Sequence, residues 1–314
     1  MGGAGLKRKI IIDCDPGIDD ALAIFMALAS DRLDVLGITT VAGNVGIDHV
    51  TRNALSLVSL AGKTLPVCRG ASGPFIIKRE KGGARVHGEN GVGDVPLPPP
   101  AFGEDSRSAA DFIHEMADEH EGELDLVVIG PLTNVATALG RYSGLTKKIR
   151  RIIMMGGAAG FGNVTQAAEF NIYADFHAAA AVFQAGIPID MYGLDVTNRA
   201  LISEDEMATL RATGKNIPIL CCDMLKTYAD FYESVGFSGL ALHDPFAMAC
   251  AIDESLAEYR ECYVEVETQG TLTRGKTVVD ILGVTGQNPN ARVAVDLDRG
   301  RFIKLMSDLL VSYV

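Results

Sequence analysis

Apolar and polar positions along this chain fall into two recurring patterns, short continuous apolar runs and longer stretches with helical spacing. Ile10-Ile11-Ile12 is a β-branched run suited to a strand buried on both faces, and Pro16-Gly17 must break it. The apolar run Ala21 to Leu28 then reads as a helix. Val35 to Val41 is a second strand, His49 to Leu60 a helix, and Pro66 to Arg69 a short third strand. Further on, Ser108 to His120 reads as a helix, Leu124 to Ile129 and Ile149 to Met155 as strands, Asp175 to Ala185 as a helix and Ile187 to Tyr192 as a strand. Strands separated by helix-length segments imply βαβ units and a parallel sheet.

Two regions interrupt the alternation. From Gly70 to Phe102, glycines and prolines mark a long loop that contains His87-Gly-Glu89-Asn90, and loops of that length in compact domains often serve as lids. Beyond Gly193 the pattern loosens: Ser203 caps a helix, and Ile217 to Glu233 is mostly helical and carries Tyr228 and Tyr232 on one face. His243-Asp244-Pro245 opens another helix, Tyr259–Glu267, Thr277–Ile281 and Arg292–Val295 read as short antiparallel strands, and Phe302 to Val311 is a terminal helix. With no linker and no internal repeat, residues 1–314 read as one domain. The expected fold is α/β: an open, mostly parallel Rossmann-like sheet flanked by helices, with a small antiparallel C-terminal extension.

Hydrophobic residues make up 48% of the chain, enough for a sizeable core. Against 28 basic residues stand 40 acidic ones, a net charge of −12, which argues against nucleic acid or an anionic membrane surface as partner. No stretch approaches the ~20 apolar residues that span a bilayer, and the segment before the first strand, read as a short flexible leader, has no signal-peptide core. The six cysteines show no Cys-x-x-Cys spacing and sit mostly in apolar runs, as buried thiols of a cytoplasmic protein would.

The first strand-to-helix turn carries the chemistry. Asp13, Asp15, Asp19 and Asp20 crowd into it, with Asp13 and Asp15 leaving the strand on the same side. Helix capping accounts for one or two carboxylates, not four. Like charges this close raise one another's pKa unless a cation sits among them, and oxygen donors without neighbouring His or Cys point to calcium or magnesium. An EF-hand loop fails on the position of its glycine and on Ile24 where Glu is required, and the spaced glycines of a dinucleotide-binding turn are absent. Phosphatases with an aspartyl nucleophile share Asp-x-Asp, though this chain has Gly17 where their pattern usually carries Thr or Val. Ligands of open α/β sheets lie beyond the carboxyl ends of the strands, which gathers Asp13, Asp15, Asn44, Thr133, Asn134, Met155, Gly156 and Asp195 on one rim.

Asp13-Cys-Asp15-Pro-Gly-Ile-Asp19-Asp20-Ala resembles the N-terminal signature of the nucleoside hydrolases, calcium-dependent N-ribohydrolases. Val41-Ala-Gly-Asn44, Arg52-Asn53-Ala54, His87-Gly-Glu89, Gly130-Pro-Leu-Thr133-Asn134, Met154-Met155-Gly-Gly157, Ala168-Glu-Phe-Asn171 and His243-Asp244-Pro245 extend the resemblance in family order. It implies hydrolysis of the N-glycosidic bond of purine and pyrimidine ribonucleosides, inosine and uridine among them, in nucleoside salvage. Calcium would be held by Asp15, Asp20, Asp244 and the Thr133 carbonyl, with two ribose hydroxyls and a water completing the shell. Asp15 would be the general base towards that water, and attack on the anomeric carbon would pass through an oxocarbenium-like transition state.

The same resemblance places Asp19, Asn44 and Asn171 at the ribose hydroxyls, Asn163 and Glu169 near the 5′-hydroxyl, Met155 and Phe170 among the substrate-binding residues, and His243 as leaving-group acid. His87 is a second base-side candidate, and Tyr228 and Tyr232 would either stack on the base or simply pack. The chain has no Trp, whereas the purine-specific branch stacks its base between tryptophans, which favours the inosine–uridine or broad-specificity branch. Dimers or tetramers are common among relatives, so a homo-oligomer such as a dimer or homotetramer is expected. A pyrimidine-preferring hydrolase, a phosphatase using Asp13, and a catalytically silent nucleoside binder remain as alternatives.

Overall fold

The computed structural model describes residues 7–77, 87–234 and 239–313, without the side chains of residues 228 and 230–234. The first six residues of the expected leader, and residues 78–86 of the expected lid, lie outside this set.

The chain runs β1 (Arg8–Cys14), α1 (Ile18–Ala29), β2 (Leu33–Thr40), α2 (Ile47–Leu60) and β3 (Val67–Arg69), then α3 (Ala109–Glu119), β4 (Leu124–Val128), α4 (Thr133–Arg141) and β5 (Ile149–Met155). Two short helices, α5 (Phe170–Ala174) and α6 (Phe176–Phe183), lead to β6 (Ile189–Tyr192), α7 (Leu194–Thr197) and β7 (Leu201–Ile202). The remainder is α8 (Glu204–Ala212), α9 (Asn216–Ser234), β8 (Leu240–Ala241), α10 (His243–Ile252), β9 (Ala257–Val266), β10 (Thr277–Asp280), β11 (Ala291–Leu297) and α11 (Arg299–Val311). The expected helices and main strands are all present, within a few residues of their expected ends.

Among the described residues, nine strands form one sheet in the order β10-β9-β11-β6-β5-β4-β1-β2-β3. From β3 to β6 every neighbour is parallel. The sequence of strands reverses between β1 and β4, because β1 leads outward to β2 and β3 whereas β4 leads the other way to β5 and β6. Such a switch point leaves a crevice beyond the carboxyl ends of the two strands. The expected antiparallel strands lie at the C-terminal edge. β11 is antiparallel to β9 but parallel to β6, so the last strands prolong the main sheet. Local apolar patterns specify a strand without specifying its partner, which is why the sequence did not separate these cases. The helices α5 and α7 and the two-stranded β7–β8 ribbon have too few residues to show a period.

Both faces of the sheet are covered. Ile10 and Ile12 point into one core and Ile11 into the other, the alternation expected of a buried parallel strand. Helix α1 packs against α2, α9, α10 and α11. Every residue from Ile18 to Leu28 is buried, which accounts for its unbroken apolar run. On the same side, Phe246 makes edge-on contacts with Phe302 at 5.4 Å and Tyr192 at 6.0 Å between ring centroids. Phe302, on α11, is fully buried and far in sequence from the acidic turn. Replacing it with Ala should lower the unfolding free energy in urea by about 3–5 kcal/mol; a loss below ~1 kcal/mol would show that α11 is not an integral wall of this core.

Candidate functional site

The residues between β1 and α1 form a tight carboxylate nest. Asp20 sits in the first turn of α1, where its carboxylate accepts from the Gly17 N–H at 2.9 Å and from the Asp15 N–H at 3.2 Å, closing a capping box on its own turn. Asn44, just past β2, locks the same turn from the side. Its backbone N–H donates to Asp15 Oδ2 at 2.5 Å, and its side-chain Nδ2 donates to the Asp15 carbonyl at 3.1 Å and Asp20 Oδ2 at 3.2 Å. Two glycines leave room for the Asp15 carboxylate. A Cβ on Gly43 would land on it, and one on Gly130 would come within 2.7 Å of Oδ1.

Helix α10 brings the third participant from the far end of the chain. Its first turn carries Asp244, and α10 packs along α1 so that oxygens of Asp19, Asp20 and Asp244 all lie within 4.8 Å of one another. All three are buried, and burial pushes each carboxyl above the ordinary carboxylate range. For Asp244 the charges of Asp19, Asp20 and Asp15 add to that push. Two helix N-termini meet here and offset part of the repulsion. The donor set is oxygen-only, which fits a hard divalent cation. Asp15, expected among the ligands, is not one of the three in closest contact, although its charge acts on Asp244. Thr133, at the start of α4, donates its hydroxyl to Asp175 at 2.9 Å. Its carbonyl accepts the Thr137 hydroxyl at 2.7 Å, which occupies one of that oxygen's two lone pairs.

Beneath the nest lies Asp13, fully buried and pushed up to about 7 by burial. Its Oδ1 accepts from Thr39 at 2.6 Å and Asn134 at 2.7 Å, tying β1, β2 and α4 together, and its Oδ2 has no hydrogen-bond partner among the described residues. A carboxylate buried in this way does not suit the nucleophile of a phosphatase.

The next segment assembles on the ends of β4 and β5. Asn171 Nδ2 donates to the carbonyls of Ile129 at 3.0 Å and Met155 at 3.2 Å. Glu169 caps α5 through the N–H groups of Asn171 and Ile172 and also accepts from Gly157 at 2.8 Å, while burial raises it to about 7. Asn163 is exposed and accepts from the Phe170 N–H at 3.0 Å. Asp195, expected on the rim, instead accepts from the N–H groups of Ala159 and Gly160 at 2.7 Å each and braces this glycine-rich loop.

Two histidines come together above. His87 Nδ1 accepts from the Ile18 N–H at 3.1 Å, so the loop histidine caps α1 and carries its ring proton on Nε2. Burial, with the His243 charge adding to it, lowers His87 to about 3. His243 Nδ1 lies 2.8 Å from the Thr197 hydroxyl, which orients the ring, and burial lowers it to about 4. An imidazole tuned to donate near neutral pH is the sequence expectation; burial makes this one neutral there. Tyr228 and Tyr232 lie on α9 with side chains outside the described residues.

The roles of Gly43, Gly130, Thr39, Thr197 and Asp175 as supports were not read from the sequence. Only the two glycines carried a signal, as small residues flanking polar ones directly after strands.

Residues 10–304 match the family model described as inosine-uridine preferring nucleoside hydrolase. A pyrimidine-specific ribonucleoside hydrolase RihA of Citrobacter koseri is 43% identical over 311 residues, covering 98% of this chain and 99% of that protein. Its counterpart in Escherichia coli O9:H4 is 44% identical over 312 residues, covering 98% and 100%. Among solved structures, a purine-preferring ribonucleoside hydrolase from Gardnerella vaginalis superposes with a TM-score of 0.92 at 34% identity, covering 98% of this chain and 99% of that one.

The seat of Asp15 between two glycine backbones yields a direct test. Gly43→Ala should leave the far-ultraviolet circular dichroism unchanged and remove the rise in melting temperature with added calcium that is expected of the parent chain. An undiminished rise would show that the Asp15 carboxylate does not depend on this cradle.

Proposed function

Because this chain belongs to the inosine-uridine preferring nucleoside hydrolase family, we propose that it hydrolyses the N-glycosidic bond of ribonucleosides with a preference for pyrimidine bases. It is an N-ribosyl hydrolase, and the products are ribose and free base. The pyrimidine preference is supported by the relatives at 43–44% identity over nearly the whole chain. A broader range that includes inosine is the second reading, favoured by the purine-preferring structure of nearly identical shape. The observation that carries the activity is the buried meeting of Asp19, Asp20 and Asp244 beside Asp15 and Asn44.

Asp15, Asp20, Asp244 and the Thr133 carbonyl are the residues proposed to hold calcium, with Asp19 alongside. When bound, the ion supplies a Lewis acid that accepts a vicinal diol and lowers the pKa of water. Asp15 takes the proton of the attacking water as its oxygen bonds to the anomeric carbon and the bond to the base nitrogen breaks. The Asn44 N–H and the flanking glycines hold that carboxylate in one position, which favours a base that must act without reorganising. Asp19, Asn44 and Asn171 contact the ribose hydroxyls, Met155 lines the sugar, and Asn163, Glu169 and Phe170 form the 5′ side.

His243 and His87 face the base. With His243 held at about 4, only about one copy in a thousand carries the extra proton at pH 7. Its proposed contribution is therefore N–H hydrogen bonding to the charge that grows on the departing base, with solvent completing the proton transfer. Tyr228 and Tyr232 are assigned to the base side of the pocket. No helix among the described residues is long and apolar enough to cross a membrane, and the six cysteines are buried and unpaired, which suits a salvage enzyme of a reducing cytoplasm. A dimer or tetramer belongs to the same proposal, with exposed Leu272, Leu282 and Val284 offering apolar surface for self-association.

A panel of five common ribonucleosides, followed by release of reducing sugar, tests the substrate range. Uridine and cytidine should give the highest kcat/KM, and 2′-deoxyuridine should be poorer than uridine by about 10⁴ because the hydroxyl-binding groups are left unpaired. Equal rates with inosine and uridine would favour the broader range; no ribose from any of them would leave only a nucleoside binder. Asp15→Asn should reduce kcat by at least ~10³, and unchanged turnover would refute its role as base. His243→Ala should harm uridine and inosine far more than a nitrophenyl riboside, whose leaving group needs no assistance. Equal losses would remove His243 from the departure of the base.

A further inference from the structure

The amino ends of the strands carry a second polar centre. Arg8 opens β1, Arg150 and Arg151 lie at the start of β5, and together with Glu254 they line a cleft of about 410 Å³. Since β1 has seven residues, the cleft lies about 20 Å from the acidic nest at the opposite end of the strand. An adjoining cleft of about 570 Å³ shares Arg150, Arg151 and Glu254 and adds Asp190, Glu261 and Arg292.

Charge is distributed unevenly between the two. Arg150 pairs with fully buried Asp125. Arg151 bridges Asp125 at 3.2 Å, Asp190 at 2.9 Å and Glu254 at 3.3 Å. Arg292 grips Asp190 with two hydrogen bonds of 2.6 and 2.7 Å. Arg8 stands apart, because its hydrogen bond is to the Ile252 carbonyl at 3.2 Å and its guanidinium has no carboxylate partner among the described residues. The clefts share Arg150, Arg151 and Glu254, so counted once they hold four guanidiniums against Asp125, Asp190, Glu254 and Glu261, and the surplus of donors is local to Arg8. Towards the second cleft the pairing is complete, since Asp190 and Glu254 each accept from both Arg151 and Arg292.

A half-buried arginine outside the ion pairs, acted on by Asp125 and Glu254 only at longer range, presents a planar donor fork matched to phosphate oxygens. The charge-balanced neighbour suits an uncharged polar body, and the volumes are those of small-ligand sites rather than of a single ion. We propose that this rim binds the phosphate monoester of a small polar molecule, the phosphate on Arg8, Arg150 and Arg151 and the polar body towards Asp190 and Arg292. The site is separate from the nest in which the nucleoside is cleaved, and the proposal does not rest on the identity of that substrate.

Titration calorimetry of the full chain with ribose 5-phosphate, inorganic phosphate and ribose tests it. Ribose 5-phosphate should bind with a Kd of about 1 mM or tighter at low salt, more tightly than inorganic phosphate, and ribose should give no signal that depends on Arg8. Arg8→Ala should weaken the ester at least tenfold while leaving nucleoside turnover unchanged. Glu254→Gln, which removes the negative charge from the lining, should tighten it at least threefold, so that a folding defect in one variant does not mask the result. Absence of ester binding, or an affinity indifferent to both substitutions, would reduce the arginines to a structural ion-pair network. Inorganic phosphate binding as tightly as the ester would overturn the assignment of a monoester.

Discussion

Carboxylates gathered in a dry place repel one another, and this fold gathers them deliberately. Asp15, Asp19 and Asp20 enter from one turn, and Asp244 arrives from a helix more than two hundred residues later. Burial disfavours the charges of Asp19, Asp20 and Asp244, and for Asp20 and Asp244 the neighbouring carboxylates compound it. Such an arrangement is stable only because backbone N–H groups, two helix N-termini and the Asn44 side chain already face the oxygens. An oxygen-only cluster of this charge suits a hard divalent cation, and that match is the basis of the proposed chemistry.

The surrounding architecture positions these carboxylates. The sheet reverses between β1 and β4, so the crevice opens where Asp15 leaves β1 and Thr133 follows β4. Helix α1 is buried along almost its whole length, and its first turn is therefore held from all sides. Asp13 fastens β1 to β2 and α4 from below, whereas His87 caps α1 from the long loop above. Asn171 and Glu169 join the ends of β4 and β5 to the glycine-rich loop, extending one rim beyond the strand ends.

Much of this was legible in the sequence because it depends on local chemistry. Three β-branched residues, a Pro-Gly break and an apolar octet are sufficient for a strand, a turn and a buried helix, and the carboxylates fall at their junction. The partnership of Asp244 with Asp20 is a long-range contact that no spacing reveals; only the family resemblance anticipated it. The pairing of β11 with β6, and the depth at which His243 lies, were likewise invisible, since both depend on what packs against the residue. That depth matters chemically, because burial disfavours the charged imidazole and lowers its pKa from that of an exposed histidine. The glycines at 43 and 130 illustrate the same limit: their meaning lies in the carboxylate they make room for, not in their own chain neighbours.

The most direct test is diffraction from crystals grown with calcium, using the ion's anomalous signal to place it. A single strong peak within about 2.3–2.6 Å of oxygens from Asp15, Asp20 and Asp244 is the predicted result. A peak held by surface carboxylates alone, with the nest at the end of β1 empty at saturating calcium, would contradict the account.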